Sequence, residues 1–499
     1  MEYLKIFTIS IAEITAVLLV LFLTAAICLI LYMYIADVNQ KEHAIRKNYP
    51  VIGRFRYFFE HLGEFFRQYF FALDREELPF NRAQRSWVYR AAKNIDSTIA
   101  FGSTRPLDRA GDIIFLNNFF PTLETEAELP REVTIGKTYV QQPYTTSSLV
   151  NISGMSFGAI SVPAIKALSR GAKKAGIWMN TGEGALSSHH LEGGCDIVFQ
   201  IGTAKYGVRN LQGQLCEQKL KKIAGYKQVK MFEIKISQGA KPGKGGILPG
   251  AKVSPLIAEI RGIPEGKDSI SPNGHPEINN IDDLLDMISH VRKITGKPCG
   301  FKTVVGNSNW IDDMCHSIER RGMQDAPDFI TIDSADGGTG AAPQSLMDFV
   351  GLPIKRSLPI VVDKLNEYGL RERIKIICSG KLITPSGVAT ALCMGADFVV
   401  SARGFMFALG CIQAMQCNKN TCPTGITTHD KELQKGLDPK NKANRVFHYA
   451  TNLAYEVGVL AHSCGVKEPR SLNRSHAEII NELGQPVPLD QIYPNVEKK

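Results

Sequence analysis

The sequence lacks the signatures of several common protein classes. Its 44 Gly and 25 Pro among 499 residues follow no fixed period, which excludes a collagen-like or wholly disordered chain. The 11 Cys are too sparse for a secreted disulfide scaffold. No Cys-x2-Cys-x2-Cys-x3-Cys run occurs and no Gly-x-Gly-x-x-Gly follows a strand pattern, so neither a ferredoxin-like module nor a nicotinamide-nucleotide domain is predicted. A net charge of +9 is too small at this length to indicate nucleic acid as a partner, and none is predicted.

One long apolar run lies near the N-terminus. Residues 14–36 carry no charge, and these 23 residues exceed the ~20 that a helix needs to cross a bilayer. Tyr32 and Tyr34 suit an interfacial belt, which favours a retained membrane helix over the alternative of a cleaved signal peptide. Lys5 is the one basic residue before the run, whereas five follow it closely: Lys41, Arg46, Lys47, Arg54 and Arg56. This asymmetry predicts a single-pass protein of the cell membrane whose catalytic domain is cytoplasmic.

An aromatic segment, residues 51–71, follows the apolar run. It interleaves nine Phe and Tyr with Arg54, Arg56 and Arg67. Two interpretations stay open: an interfacial helix on the inner leaflet, or a collar packed on the main domain with its arginine stems covering apolar surface. Stacking on RNA is a weaker third interpretation, because no recognition motif accompanies the aromatics.

Eight short apolar runs, rich in β-branched residues, recur between residues 149 and 402 with helical patterns between many of them. This alternation predicts a parallel (β/α)₈ barrel, with a doubly wound open sheet as the alternative. The runs are residues 149–153, 177–181, 197–201, 231–237, 300–305, 329–334, 374–379 and 397–402. The stretch from about 238 to 299 is too long for a simple connection, so we expect it to shape the site. The predicted boundaries are a tail (1–13), the membrane helix (14–36), a collar or linker (37–110), the barrel (111–430) and C-terminal helices with a tail (431–499).

The loops after the last three strands predict a phosphate-bearing ligand. Ser379 and Gly380 follow the seventh strand, and Arg403 and Gly404 follow the eighth, where barrels often bind a phosphate. A phosphate there would suit FMN. After the sixth strand, glycines permit close backbone approach to a flat ligand: Gly337, Gly338 and Gly340. Glycine-rich turns without any ligand are the alternative.

Lysines concentrate at the fourth and fifth strands. Lys302 alternates with Phe301 and should point into the barrel, either beside a flavin ring or paired with an internal carboxylate. Lys235 shares one side of the fourth strand with Glu233, and Gln238 and Lys241 lie in the loop that follows. Several cations at one barrel mouth suggest a small anionic substrate such as a dicarboxylate. For Lys244, a solvated loop position is preferred.

Three cysteines lie within 12 residues: Cys411, Cys417 and Cys422. Thiolates at such spacing can hold an iron–sulfur cluster. A structural zinc site would need a fourth ligand, for which His429 is the candidate. A nucleophilic cysteine is a weaker interpretation. The other cysteines are predicted to be scattered buried thiols.

The motifs GMSFGAIS, NTGEG, EIKISQGAKPGKGGILPGAKV, SPNGHPEI, DGGTGAAP and GCIQAMQCNKNTCPTGITT together resemble the FMN-binding synthase domain of glutamate synthase over residues 150–430. With the apolar run and PFNRAQRSWVYR, the layout is similar to the short membrane-anchored members of that family. The resemblance implies FMN and a 3Fe-4S cluster. It also implies that 2-oxoglutarate condenses with ammonia to 2-iminoglutarate, which hydride from flavin N5 reduces to L-glutamate while the cluster passes electrons to the flavin.

Site residues transfer from the family motifs position by position. The resemblance implies that Cys411, Cys417 and Cys422 hold the cluster, that Lys235 and Glu183 are catalytic, and that Lys205, Gln238 and Lys241 bind substrate. For the cofactor, the resemblance implies Gly154, Met155, Ser156 and Lys302. With Gln200 and the loop residues named above, the predicted cofactor-binding set comprises Gly154, Met155, Ser156, Gln200, Lys302, Gly337, Gly338, Gly340, Ser379, Gly380, Arg403 and Gly404.

Two departures from the family pattern concern the substrate. Lys205 stands where the family has Arg, and these cations are not equivalent, while His275-Pro276-Glu277 replaces His-His-Asp. Another amine and keto acid pair is therefore an alternative, as is an electron-transfer subunit without turnover of its own. No amidotransferase domain is recognised, so we expect ammonia from solution or a separate amidotransferase subunit, and electrons from a separate donor.

Overall fold

The computed structural model describes residues 2–496, apart from the side chains of residues 2–6, 8–10, 64 and 65. Met1 of the predicted N-terminal tail and residues 497–499 of the predicted C-terminal tail lie outside the described residues, as does the side chain of Phe65 in the aromatic segment. The chain divides into two compact units, residues 1–82 and 83–499. Each is described by itself.

The first unit is helical. Helix Glu2–Asn39 contains a segment, Ile11–Asn39, that is long and apolar enough to cross a membrane by length and composition. It is followed by helix Ala44–Asn48, by helix Gly53–Phe66 and by a π-helical turn, Arg67–Phe71. The long apolar helix predicted from residues 14–36 is thus present, and the span across a membrane stays a prediction.

The second unit is built on a closed barrel of eight parallel strands. In chain order they are β1 (Val150–Ile152), β2 (Met179–Asn180), β3 (Ile197–Ile201), β4 (Val229–Lys235), β5 (Cys299–Val304), β6 (Phe329–Asp333), β7 (Lys375–Ser379) and β8 (Phe398–Ser401). Each falls on one of the eight predicted runs. The predicted barrel is confirmed and the open-sheet alternative is wrong, because β8 pairs with β1.

Helices and short turns surround the barrel. The α-helices of this unit are Arg82–Ala92, Val162–Ala175, Ser188–Glu192, Glu217–Ala224, Pro255–Arg261, Ile281–Thr295, Asn309–Arg321, Gln344–Phe349, Ile354–Glu367, Pro385–Cys393, Arg403–Leu409, Lys431–Gln434, Pro439–Ser463 and Leu489–Ile492. Short 3-10 turns lie at Glu124–Glu126, Gly182–Gly184, Gly250–Lys252, Met323–Asp325, Pro469–Ser471 and Arg474–His476.

Helix Val162–Ala175 shows how local sequence sets these boundaries. The Ser161 hydroxyl accepts the Ala164 N–H before the first turn, and Gly176 ends the helix with φ +67°, a conformation that glycine adopts without strain. Between them Ile165 and Leu168 are fully buried. The long helix Pro439–Ser463 packs against this helix, with Val446 lying where a side chain on Gly171 would have to go.

The N-terminal face of the barrel is closed by a hairpin of Val133–Ile135 and Tyr144–Thr146. Ile135 and Tyr144 share a buried cluster with Trp178, Phe329 and Phe398, which lie at or just before the starts of strands. A three-stranded antiparallel sheet of Ile113–Phe115, Ala477–Ile480 and Pro486–Pro488 lies outside the barrel. Because the hairpin fills the N-terminal face, ligands have access from the carboxyl ends of the strands, as in other barrels of this kind.

The insertion after β4 folds over that carboxyl face. Its hairpin of Ile247–Leu248 and Ser269–Ile270 precedes helix Ile281–Thr295, and helix Pro255–Arg261 lies within the hairpin connection. Gly246, Leu248 and Ser271 from this insertion line the cavity described below. The insertion therefore shapes the site, as its length predicts.

Candidate active site

A cleft opens at the carboxyl ends of the strands. The space it encloses, counted together with the open solvent at its mouth, is about 1290 Å³. Thirteen residues predicted from the sequence line it: Gly154, Met155, Ser156, Glu183, Gln238, Lys241, Lys302, Gly338, Gly340, Ser379, Gly380, Arg403 and Cys417. Seven other predicted residues do not line it: Gln200, Lys205, Lys235, Gly337, Gly404, Cys411 and Cys422.

A polar layer inside the barrel supports the floor of the cleft. Glu233 is buried and accepts hydrogen bonds from Asn180 Nδ2 at 2.8 Å, Gln200 Nε2 at 2.7 Å and Thr331 Oγ1 at 2.6 Å. A side chain on Gly154 would meet both amides, those of Asn180 and Gln200. Gln200 therefore positions the floor from below rather than lining the cleft. The sequence signal for this layer is polar residues on otherwise apolar strands.

Lys302 points into the barrel, as the alternation on β5 predicts, and pairs with Asp333. Its Nζ lies 3.0 Å from Asp333 Oδ2, and both side chains are almost fully buried. Burial opposes the charged carboxylate, but the Lys302 cation and the Gly239 N–H at 2.9 Å still hold the pKa of Asp333 below its ordinary value. Lys302 thus has an internal carboxylate partner, and its place beside a flavin ring stays a prediction. Because both residues line the cleft, the pair also presents a fixed charge to any ligand there.

Glu183 and Lys235 form a second buried pair. Lys235 Nζ donates to Glu183 Oε2 at 2.9 Å, with side-chain exposures of 8% and 14%. Burial raises the pKa of Glu183, but the charge of Lys235 and its hydrogen bond outweigh this and bring the pKa below the ordinary value. Glu183 lines the cleft while Lys235 lies behind it. Gly246 packs directly against Glu183, and any larger residue at this position would collide with Glu183 Oε1.

Four cations line the cleft without a carboxylate partner among the described residues: Lys241, Lys252, Arg261 and Arg403. Lys252 Nζ donates to the carbonyls of Ala159 at 2.8 Å and Cys417 at 3.1 Å, which leaves Lys241 and Arg261 as the two described cations whose polar atoms are not all engaged.

Lys241 is 5% exposed, and burial together with nearby Lys235 lowers its pKa to about 8. Its ammonium makes no hydrogen bond or ion pair within residues 2–496. Arg261, which sequence reasoning missed, donates to Phe157 O at 2.9 Å and Ser269 Oγ at 3.1 Å, while its buried Nε has no partner in the described part of the chain. Buried cations in this state favour an anionic ligand.

The two residues that depart from the family pattern pair with each other. Lys205 Nζ lies 2.9 Å from Glu277 Oε1, with the lysine side chain 3% exposed, and neither residue lines the cleft. Lys205, predicted to bind substrate, therefore already has a carboxylate partner. Gln238, by contrast, lines the cleft and donates to Thr339 Oγ1 at 3.2 Å, which joins the loops after β4 and β6.

The glycines after β6, β7 and β8 serve different purposes. Gly380 has φ +123°, and a side chain there would collide with Ser334. Gly404 lies against the Tyr449 hydroxyl and Gly337 against the backbone of Ser334, so both allow close packing outside the cleft wall. Gly338 and Gly340 face the cleft itself.

Arg403 connects the glycine loop to the cysteines. One guanidinium nitrogen donates to the Thr339 carbonyl, and another lies 3.6 Å from Cys417 Sγ. Helix Arg82–Ala92 supports the segment that carries the three cysteines, because the Tyr89 hydroxyl donates to the Cys411 carbonyl at 2.6 Å. Although burial opposes ionisation of Cys422, its hydrogen bonds to Thr424 and Thr427 bring the thiol pKa below its ordinary value. Cys417 thus lies beside a fixed cation, and the charge of Arg403 also acts on Cys411 and Cys422.

No three His, Cys, Asp or Glu side chains among the described residues lie close enough to share one metal ion. His429, the candidate fourth zinc ligand, instead places Nε2 2.7 Å from the Gly158 carbonyl. The zinc interpretation therefore lacks geometric support. All eleven cysteines are free of disulfides.

A closed parallel barrel with a polar cleft at its carboxyl face, glycine loops after the last strands and unpartnered cations in the wall defines a ligand-binding barrel of enzyme type. Residues 109–467 match the family model described as a conserved region in glutamate synthase, and the chain belongs to the glutamate synthase family.

Relatives extend this assignment. The chain is 39% identical over 504 residues to the glutamate synthase large subunit-like protein YerD of Bacillus subtilis, covering 93% of this chain and 95% of that protein. It is 35% identical over 338 residues to the archaeal glutamate synthase (NADPH) of Methanocaldococcus jannaschii, covering 67% of this chain but 62% of that one. The relatives place the chain among glutamate synthase-type oxidoreductases.

Solved structures with a similar arrangement include mandelate oxidase and a chimera of (S)-mandelate dehydrogenase. The first matches at 14% identity and a TM-score of 0.46, covering 79% of this chain and 98% of that one. The second matches at 13% identity and a TM-score of 0.48, covering 80% and 99%. The barrel itself is established by its own strand pairing.

Proposed function

We propose that this protein is an FMN-dependent glutamate synthase-type oxidoreductase that converts 2-oxoglutarate and ammonia to L-glutamate. The observation that carries the proposal is the pair of cations, Lys241 and Arg261, that face a cleft lined by glycine loops in a member of this family. A small dicarboxylate supplies the negative charge that these two side chains lack. The overall reaction balances as 2-oxoglutarate plus ammonia, two electrons and two protons giving glutamate and water.

The residues of the cleft suit FMN. Ser379 and Gly380 after β7 would take the phosphate end, and Gly338 with Gly340 after β6 leave room for a flat ring system. Lys302, already charged and held by Asp333, would lie near the polar edge of the ring. When bound, FMN would supply hydride to the imine carbon.

The protein side chains would bind the substrate and move its protons. Lys241 and Arg261 bind carboxylates and so orient the keto carbon. Loss of water from the ammonia adduct needs a general acid, and Lys235 is the nearest cation to the cleft-lining Glu183. Glu183 orients Lys235 at 2.9 Å and, because Glu183 lines the cleft while Lys235 does not, would pass the proton from Lys235 to the substrate. Both would be catalytic residues.

A 3Fe-4S cluster is proposed on Cys411, Cys417 and Cys422. A cluster of this type takes one thiolate from each of three cysteines, each on a separate iron. Arg403 beside Cys417 offsets part of the negative charge that three thiolates would bring. Electrons would then come from a separate donor protein, and ammonia from solution or from an amidotransferase subunit.

We further propose that the helix containing Ile11–Asn39 crosses the cell membrane with residues 83–499 on the cytoplasmic side. The basic residues that follow the helix support this orientation. Protease added to intact spheroplasts should leave the barrel uncut, and cleavage of the barrel from outside would contradict the orientation.

The test of function is product formation. Full-length protein, purified without oxygen and chemically reduced, should convert 2-oxoglutarate and isotope-labelled ammonium to labelled glutamate, detected by mass spectrometry. At a 2-oxoglutarate concentration near the wild-type KM, Lys241→Met should form glutamate much more slowly, whereas Lys244→Met, in the exposed part of the same loop, should keep the wild-type rate. Product only with another amine or keto acid would identify a different substrate pair. Normal redox behaviour without any product would favour an electron-transfer subunit.

A further inference from the structure

The aromatic segment begins beside the end of the apolar helix, and Asp37 ties the two together. The Asp37 carboxylate is fully buried and accepts bonds from Arg46 at 2.9 and 2.7 Å, from Arg54 Nε at 2.8 Å and from the Val51 N–H at 3.0 Å. Asp37 lies in the last turn of the apolar segment Ile11–Asn39. Helix Gly53–Phe66 is therefore held where that segment ends, rather than trailing as a free linker.

This helix carries an exposed aromatic face. Phe55, Phe59 and Phe66 are spaced as one side of an α-helix and are 58%, 61% and 36% exposed. The face continues into the turn Arg67–Phe71, where Phe70 is 71% exposed. A contiguous exposed aromatic surface of this kind is uncommon in soluble monomeric proteins. It indicates a contact with a membrane or with another macromolecule.

The charge around the face fits an anionic lipid surface. Residues 40–71 contain six Lys and Arg (Lys41, Arg46, Lys47, Arg54, Arg56 and Arg67) against three Glu. Arg46 and Arg54 are engaged by Asp37, and Arg56 Nη1 lies 3.8 Å from Glu60 Oε2. This leaves Lys41, Lys47 and Arg67 as the basic residues of this stretch without an ion pair among the described residues. Basic residues directly after a membrane helix are attracted to the negative surface of the inner leaflet.

We infer that helix Gly53–Phe66 and the turn after it lie flat in the headgroup region of an anionic inner leaflet. Phe55, Phe59 and Phe66 enter the boundary between headgroups and acyl chains. The inference rests on the proposed membrane helix, since the Asp37 contacts place the aromatic face at its exit. A protein surface, whether the barrel of the same chain or a second copy, is the competing occupant.

Tryptophan substitutions in the full-length protein test this placement. The protein is reconstituted in nanodiscs of phosphatidylglycerol that contain lipid brominated in the upper acyl chain, which quenches only tryptophan at that depth. Phe59→Trp reports on the aromatic face, and Glu60→Trp, one residue further round the same helix, is the matched control because the Glu60 side chain is 64% exposed. Phe22→Trp, 70% exposed within the apolar segment, reports on membrane insertion with deep bromine labels. Fluorescence of the unmodified chain is subtracted.

The expected result is severalfold stronger quenching of Phe59→Trp than of Glu60→Trp, with Phe22→Trp quenched by the deep label. Weak and equal quenching at positions 59 and 60, with Phe22→Trp still quenched, overturns the interfacial placement while the membrane helix stands. Shielding of Phe59→Trp from aqueous iodide without quenching by bromolipid means that protein covers the face, and also overturns the inference. An unquenched Phe22→Trp overturns the membrane helix itself and, with it, this placement.

Discussion

At the scale of single residues, the chemistry depends on which buried cations already have partners. Lys302, Lys235 and Lys205 each lie within 3.0 Å of a carboxylate, whereas Lys241 and Arg261 do not within the described residues. A buried cation that is paired with a carboxylate is already neutralised by the protein. A buried cation in a cleft without such a partner attracts an anionic ligand. We therefore propose that Lys241 and Arg261 bind the substrate carboxylates, and that the paired Lys235 acts on the substrate only through Glu183.

The pH dependence of substrate binding should follow Lys241. Its pKa is lowered to about 8, so the ammonium is charged below that pH and neutral above it. We expect the KM for 2-oxoglutarate to be nearly constant below pH 8 and to rise by about tenfold per pH unit above it, since one proton is linked to binding. Steady-state kinetics between pH 6 and about 10 would measure this.

Two variants control that profile. Lys241→Met should raise KM at every pH and remove the rise above pH 8. Lys244→Met, which changes an exposed lysine three residues away, should keep the wild-type profile. A profile that persists unchanged in Lys241→Met would show that another group controls binding.

The Lys302–Asp333 pair makes a stability prediction. Lys302→Met leaves Asp333 buried without its cation and should lower the free energy of unfolding by about 3–5 kcal/mol. Lys381→Met breaks a pair of similar length with Asp336, but both partners are partly exposed, so it should cost at most about 1 kcal/mol. Urea unfolding in detergent, followed by tryptophan fluorescence, compares the two. Equal losses of unfolding free energy in the two variants would contradict the importance of the buried Lys302–Asp333 pair.

Single residues differed in how far the sequence could predict them. The inward direction of Lys302 follows from alternation on its strand. The partners of Lys205 and Arg261 cannot be predicted in this way. Glu277 is 72 residues from Lys205 and Phe157 is 104 residues from Arg261, so each contact exists only in the folded chain. Arg261 ends a short helix inside an insertion, where no strand pattern indicates that its side chain is buried.

At the scale of elements, the loop after β7 depends on one glycine. Gly380 has φ +123° and lies against Ser334, so Gly380→Ala should displace the loop, lower the flavin content severalfold and cost about 1–3 kcal/mol of unfolding free energy. Gly387→Ala is the matched control, because it lies in helix Pro385–Cys393 and its side chain would meet its nearest neighbour at 3.5 Å. Flavin released by denaturation, measured by absorbance per mole of protein, distinguishes them. Normal flavin content in Gly380→Ala would contradict the proposed phosphate loop.

The loop that carries the three cysteines should behave as one ligand set. Cys417→Ser removes the thiol that lines the cleft and should reduce iron content from three atoms per chain to nearly none, together with the low-temperature paramagnetic signal. Cys464 is a buried cysteine at the end of helix Pro439–Ser463, and Cys464→Ser should leave the iron content unchanged. Zinc, or no metal, in anaerobically purified wild-type protein would show that the cysteines are structural.

Element positions were largely predictable because each strand is a short apolar run ended by glycine or a polar residue. Their ends shifted by a residue or two, as for β2, which is Met179–Asn180 within the predicted 177–181. The interior of the insertion was not predictable, since its hairpin strands are two residues each and leave no periodic pattern.

At the scale of the whole molecule, eight alternating runs predicted a barrel, and strand pairing closed it. The family match over residues 109–467 agrees with the motifs that pointed to glutamate synthase. What the sequence pattern could not supply is which predicted residues converge on the cleft. The roles of Gln200 below the floor and of Arg403 beside the cysteines emerge only from the folded chain.

The central claim is that FMN at this barrel mouth reduces the product of a keto acid and ammonia. The most direct measurement is the rate at which the chemically reduced flavin of the anaerobic, full-length protein recovers its visible absorbance. We predict fast recovery when 2-oxoglutarate and ammonium are present together and slow recovery with either alone. A protein that is colourless when purified with excess flavin, or whose reduced flavin responds equally to both single additions and the mixture, would contradict the claim.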